Sequence, residues 1–359
     1  MTYLLFFAGL AALIVGADVL VRGASRLALS LGISPLVVGL TVVAFGTSAP
    51  EVAVSVGAVL DGKTDLALGN VVGSNIFNVL FILGLSALIV PLVVNIQLIR
   101  QEVPIMLGAS LLLLLLSLDG LLSMNDGALL LILLVAYTVF LVVQSRREGQ
   151  AVQDEYTEEF APAKLSPWLD RVWVQLLLIA AGLALLVIGS DWLVQAAVLI
   201  AKSMGVSDLV IALTIVSAGT SMPEVATSIM AAIKGERDIA VGNVVGSNIF
   251  NALGCMGIAS LVSGSSGLIV PPAVMSFDLW VMAAVALACV PMFITGQVIA
   301  RWEGALFLAY YAAYVTYLVL AAQQHDALGA FSSAMLSFVL PLTLVTLVVL
   351  WLPKATKPN

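Results

Sequence analysis

The chain has 359 residues, 62% of them hydrophobic and only 10% charged, with a mean hydropathy of +1.15 and a formal net charge of −7. Soluble domains carry about 25% charged residues, so composition excludes a soluble globular protein and predicts an integral membrane protein. Apolar runs of about 20 residues separated by short polar breaks predict spanning helices rather than a β-barrel.

In chain order, the first run (Tyr3 to Val21) has no basic leading segment and no convincing cleavage site, so it reads as a retained helix and not a signal peptide. Eleven spans are predicted, near 3–22, 34–60, 66–92, 103–118, 124–144, 174–200, 207–233, 239–263, 274–296, 302–322 and 331–352. The stretch 145–172 carries Arg146, Arg147, Glu148, Asp154, Glu155, Glu158, Glu159, Lys164, Asp170 and Arg171, and it reads as a solvated, acidic cytoplasmic linker. Its acidic spacing matches no EF-hand loop. Cys255 and Cys289 fall inside apolar segments and read as small buried hydrophobes. His325 falls at a loop and reads as solvated.

One passage is written twice. Residues 46–80 and 219–253 align without a gap at an offset of 173 and agree at 23 of 35 positions. Agreement is densest in two polar islands, G-T-S-x-P-E and G-N-V-V-G-S-N-I-F-N. Shared greasiness does not keep polar residues in register. The same offset carries Gly16-Ala17-Asp18 onto Gly189-Ser190-Asp191 and Gly32 onto Gly205, so the repeat includes the preceding helix and extends to five spans per half. Five is odd, so the second copy enters the membrane upside down, the inverted-repeat plan of many secondary transporters. The fold class is therefore an all-α polytopic membrane protein. It divides into a first inverted repeat (1–144), the linker (145–172), a second repeat (173–322), and an extra C-terminal spanning helix with a short tail (323–359).

Basic residues set the orientation. With the N-terminus outside, Arg22, Arg26, Arg100, Arg146, Arg147, Lys164, Arg171, Lys234, Arg237, Arg301, Lys354 and Lys357 lie inside, and only Lys63 and Lys202 lie outside. The C-terminus is then cytoplasmic.

Glu51 and Glu224 are the two carboxylates that the repeat carries to membrane depth, where each costs about 2.5–3.5 kcal/mol on insertion scales. No Lys or Arg in those segments neutralises them. On a helix, Thr47 and Ser48 share a face with Glu51. Pro50 lacks an N–H, which frees the carbonyl of Gly46 and predicts a kink. Thr220, Ser221, Pro223 and Glu224 repeat the arrangement. Ser74 and Asn78 are spaced i, i+4 and are mirrored by Ser247 and Asn251. Asp65 and Asp238 read as helix N-caps, Asp18 and Asp191 as interhelical polar anchors. Oxygens alone, with two carboxylates and no His or Cys, suit Ca²⁺ and argue against zinc or copper. The same oxygens could hold Na⁺. Two fixed charges accommodate one Ca²⁺ or several Na⁺, and that exclusion is what an exchanger needs.

At these residues the chain resembles the Na⁺/Ca²⁺ exchanger family of the cation/Ca²⁺ antiporter superfamily, in a prokaryotic form with two α-repeats. The resemblance implies that Glu51, Glu224, Ser48, Ser221, Ser74, Ser247, Asn78 and Asn251 line the ion site. It adds Thr47 and Thr220 for Na⁺, with the backbone carbonyls of Ala44 and Ser217. It further implies antiport of Na⁺ against Ca²⁺ in a plasma membrane, bacterial inner membrane above all, with helices 1 and 6 sliding to switch access. Asn251 stands where some family members have Asp, which weighs against K⁺ co-transport, and the eleventh helix lies outside the family's core. No cofactor, nucleic acid or obligatory protein partner is implied. The alternatives are cation/H⁺ antiport through a desolvated glutamate and a channel with a ring of carboxylates. An intramembrane enzyme fits least, since no H-E-x-x-H motif is present.

Overall fold

The computed structural model describes residues 2–159, 171–204, 217–294 and 296–351. Among the described residues twelve helices carry the architecture. The first half contains α1 (Thr2–Leu31), α2 (Pro35–Thr47), α3 (Ala49–Leu60), α4 (Thr64–Ile89), α5 (Leu98–Leu116) and α6 (Met124–Glu159). The second contains α7 (Val172–Ser203), α8 (Met222–Ile233), α9 (Arg237–Val262), α10 (Val274–Ile294) and α11 (Arg301–Ala322), followed by α12 (Ala327–Val345). Among the described residues nine helices are long and apolar enough to cross a membrane, or ten when α2 and α3 count as one bent span. The seventh predicted span, 207–233, is represented by α8, and its first part lies outside the described residues.

The inversion is visible in how α1 meets α7, its counterpart at an offset of 173. A Cβ on Gly9 would lie 2.7 Å from the Leu193 nitrogen, one on Gly16 2.9 Å from the Gly182 oxygen, and one on Gly23 3.0 Å from the Ile179 side chain. Position rises along one helix as it falls along the other, so the two run antiparallel, as equivalent helices of inverted repeats must. Glycines at these crossings let the backbones touch, the small-residue device of membrane helix packing.

Two short ladders tie the halves together. The first pairs β1 (Leu92–Val93) with β4 (Val298–Ile299), and the second pairs β2 (Leu121–Leu122) with β3 (Leu268–Ile269). Each joins the loop after the third span of one half to the loop after the fourth span of the other, so exchanging the halves converts one ladder into the other. Helices α4 and α9 form the centre, with 72% and 89% of their spanning windows buried, whereas α12 buries none of its window and lies at the periphery.

Some local expectations hold and others need correction. The linker is helical through Glu159, because α6 continues past its span; residues 160–170, with Lys164 and Asp170, lie outside the described residues. Asp65 and Asp238 are not N-caps. Helices α4 and α9 already begin at Thr64 and Arg237, so both acids sit in the first turn, where negative charge meets the positive end of the helix dipole. Asp18 does bridge helices, pairing with Lys234 at the end of α8 as well as with Arg22 on its own helix at 2.8 Å. Asp191 instead accepts a bond from Gln195 within α7, at 2.8 Å. His325 is exposed, and its Nδ1 accepts the Ala327 N–H at 3.1 Å.

Candidate cation site

The site is built where two helices break. Ser48 departs from helical geometry at φ −82°, ψ 5°, and Ser221 at φ −88°, ψ 8°. Each is followed two residues later by a proline in the first turn of the next helix, Pro50 in α3 and Pro223 in α8, where the missing N–H costs no helical bond. The axis bends by 41° between α2 and α3. Each break places a glutamate in the first turn, Glu51 on α3 and Glu224 on α8.

The breaks cross-bond. Ser48 donates to Glu224 Oε1 at 3.0 Å, and Ser221 donates to Glu51 Oε1 at 2.9 Å. Each half's serine therefore serves the other half's carboxylate. Both glutamates are 0% exposed. Among the described residues neither Oε2 has a hydrogen-bond partner, and no Lys or Arg is paired with either carboxylate.

The second islands close around this pair. Ser74 Oγ lies 3.1 Å from Ser221 Oγ. A hydroxyl has one proton, so Ser221 gives its own to Glu51 and accepts from Ser74. Asn78 donates through Nδ2 to Asn248 Oδ1 at 3.0 Å, which leaves its own Oδ1 buried and unpartnered; Ser247 Oγ is likewise unpartnered. Asn251 Oδ1 accepts from the Cys255 thiol at 3.3 Å, and its Nδ2 is unpartnered. Asn78 and Asn251 each open a π-helical turn, over Asn78–Leu83 and Asn251–Cys255, a local feature frequent at functional sites.

Thr47 Oγ1 sits between Asn243 Oδ1 at 3.1 Å and the Ala44 carbonyl at 3.4 Å, and Thr220 donates to Asn70 Oδ1 at 3.3 Å. The Ala44 carbonyl also accepts the Ser48 N–H at 3.0 Å, so a cation reaching it competes with the Thr47 hydroxyl. Ser217 opens the short helical turn Ser217–Gly219 ahead of the second break.

Four asparagines inside the islands escape the sequence reading. Asn70 donates to the Glu51 carbonyl at 3.3 Å and to Ser55 Oγ at 3.1 Å; its counterpart Asn243 donates to Ser228 at 3.0 Å. Asn75 and Asn248 exchange bonds across the halves, each Nδ2 donating to the other's carbonyl, at 3.3 and 3.2 Å. Their repetition at the same offset is the signal that could have found them. The sequence also passes over Glu102, a fully buried carboxylate at the start of the fourth span. It accepts from Tyr137 at 2.6 Å, Gln101 at 2.8 Å and Gln97 at 3.1 Å, so its oxygens are already served. A groove of about 930 Å³ lies between α2, α6, α7 and α9, lined by Phe45, Leu183 and Phe250; among the described residues no carboxylate lines it.

A buried pair of carboxylates with free oxygens, ringed by hydroxyl and amide oxygens, has the donor set of a hard cation. The sodium/calcium exchanger protein family matches residues 1–143 and 174–320. CaxA of Alkalimonas amylolytica is 39% identical over 311 residues, covering 85% of this chain and 95% of that protein. The inner membrane protein YrbG of Escherichia coli K12 is 39% identical over 220 residues, covering 61% of this chain and 66% of YrbG. A structure of the sodium-calcium exchanger NCX_Mj soaked with Na⁺ and Ca²⁺ superposes with a TM-score of 0.73 at 32% identity, covering 88% of this chain and 97% of NCX_Mj. With both halves matched, the chain belongs to the sodium/calcium exchanger protein family and is a multi-pass membrane cation exchanger rather than an enzyme.

Proposed function

We propose that this chain exchanges Na⁺ for Ca²⁺ by alternating access at the buried site, with Ca²⁺ extrusion as its working direction. The observation that carries the reading is the reciprocal pair of bonds, Ser48 to Glu224 and Ser221 to Glu51, which leaves one free oxygen on each desolvated carboxylate. Two negative charges at one buried locus need two positive charges, which one Ca²⁺ or a pair of Na⁺ supplies, and the two loads exclude each other by charge and by ligand. Glu51, Glu224, Ser48, Ser221, Ser74, Ser247, Asn78 and Asn251 are the proposed ligands. Thr47, Thr220 and the carbonyls of Ala44 and Ser217 serve Na⁺. The similarity to NCX_Mj supports the choice of ions. Similarity to YrbG supports a bacterial inner membrane, and the basic residues support an outside N-terminus.

The test is radiolabelled Ca²⁺ uptake into proteoliposomes loaded with Na⁺. Uptake is expected to follow the outward Na⁺ gradient, to saturate, and to stop when internal Na⁺ is replaced by an impermeant cation. Uptake that follows only a pH gradient overturns the Na⁺ assignment in favour of H⁺ coupling, and non-saturating flux without counter-transport overturns antiport.

A further inference from the structure

The two halves of the site differ at one pair of ligands. Asn78 and Asn251 are equivalent at the offset of 173, yet their amides are held in opposite senses. Asn78 gives its N–H to Asn248 Oδ1 at 3.0 Å and keeps its oxygen free. Asn251 has its oxygen engaged by the Cys255 thiol at 3.3 Å, and the end left unpartnered is the donor Nδ2. The symmetric counterpart of the Asn78–Asn248 bond would run from Asn251 Nδ2 to Asn75 Oδ1. Both of those atoms are buried without a partner, so that bond is not made. The two halves also differ in sequence one helical turn along from this asparagine. Position 255 is cysteine, and its counterpart at 82 is isoleucine, which has no hydrogen to donate.

We infer that Cys255 is a positioning residue that competes with the cation for the Asn251 amide oxygen, so that Asn251 ligates only by giving up the thiol bond, and so lowers the affinity of the site for Ca²⁺. An S–H is a weak donor, but it has no competitor for this oxygen among the described residues. A carboxamide can offer a cation only its oxygen; its NH₂ end is the positive end of the dipole. With the oxygen engaged along its own helix, Asn251 joins the shell only at the cost of the thiol bond, a cost that Asn78 does not meet. Ca²⁺ gathers 6–8 oxygens, so that cost bears on Ca²⁺ directly. Removing the thiol frees the amide to turn, to bond Asn75 as Asn78 bonds Asn248, and to present its oxygen. This inference rests on the proposed cation site.

Two measurements test it. The chain has two cysteines, and Cys289 donates to the Val285 carbonyl at 3.6 Å, so its S–H stretching band is an internal reference. In the infrared, Asn251→Ala is expected to shift the Cys255 band toward that of a free thiol and to leave the Cys289 band in place. In transport, Cys255→Ala is expected to lower the KM for Ca²⁺ by about threefold or more, a coupling of roughly 0.7 kcal/mol. Cys255→Ser keeps a donor and is expected to hold the parent KM. An unmoved Cys255 band in Asn251→Ala, or equal KM changes in the alanine and serine variants, overturns the inference. The underlying site is tested apart from it. Glu51→Gln retaining full transport sinks the site itself, whereas Glu51→Gln inactive with an unmoved Cys255 band sinks only the role of Cys255.

Discussion

Each glutamate at the breaks is met by one serine hydroxyl and, among the described residues, by no cationic side chain. Replacing Glu51 or Glu224 by glutamine keeps shape and the serine bond, since the amide oxygen still accepts, and removes only charge. Glu51→Gln and Glu224→Gln are each expected to reduce Ca²⁺ uptake to below about a tenth while the protein still elutes as a single folded species, because a halved charge no longer balances a divalent ion. Retained uptake in either variant would count against the pair acting as one site. A finer test is Ser48→Ala, which removes the hydroxyl donated to Glu224 across the halves. Hydrogen bonds to charged groups contribute about 1.5–3 kcal/mol, so the KM for Ca²⁺ should change at least several-fold with the fold intact, and an unchanged KM would remove Ser48 from the site. The glutamates, serines and threonines were legible because charge and hydroxyls repeated in register are conspicuous in a greasy chain. Asn75 and Asn248 were not, since each lies one position off the face defined by Ser74 and Asn78 or their counterparts, and spacing says nothing of a bond to the other half. Glu102 was missed for a different reason. Its counterpart at the offset is Met275, so a reading keyed to repetition passes over it.

Among elements, the broken span was readable from Gly46 and Pro50, and the structure bends there by 41°. The linker was not. Its charged residues suggested solvation, which is equally compatible with the helix that α6 extends to Glu159. The contact between α1 and α7 was also hidden, because glycine spacing marks a close face without naming the partner. That contact now supports a specific expectation. A Cβ on Gly182 would lie 2.7 Å from the Leu20 nitrogen and 2.8 Å from the Gly16 oxygen, both backbone atoms that cannot turn aside. Gly182→Val is therefore expected to force the helices apart and to cost about 1–3 kcal/mol by overpacking, read as a lower unfolding temperature in detergent and reduced transport. Gly108 is the control, since a Cβ there meets nothing within 4 Å, and Gly108→Ala should melt like the parent. Equal melting of the Gly182 and Gly108 variants would show that the contact between α1 and α7 is looser than the structure has it.

For the whole molecule, an odd number of spans per repeat requires equivalent loops to face opposite sides of the membrane, and the antiparallel course of α1 and α7 carries the same requirement in three dimensions. Lys63 and Glu236 occupy equivalent positions, each preceding a central helix, α4 or α9. The native thiols Cys255 and Cys289 are buried, so an introduced cysteine can be labelled against a quiet background. In intact cells a membrane-impermeant maleimide is expected to label Lys63→Cys and to spare Glu236→Cys until the membrane is permeabilised. The two possible failures carry different meanings. Labelling of both from the same side would overturn the inversion, and with it the argument that one site serves two faces through paired, oppositely oriented halves. Labelling of Glu236→Cys alone in intact cells would leave the inversion standing and reverse only the orientation. The twelve basic residues assigned to the cytoplasm against two outside would then be a bias that some other feature of the chain had overridden.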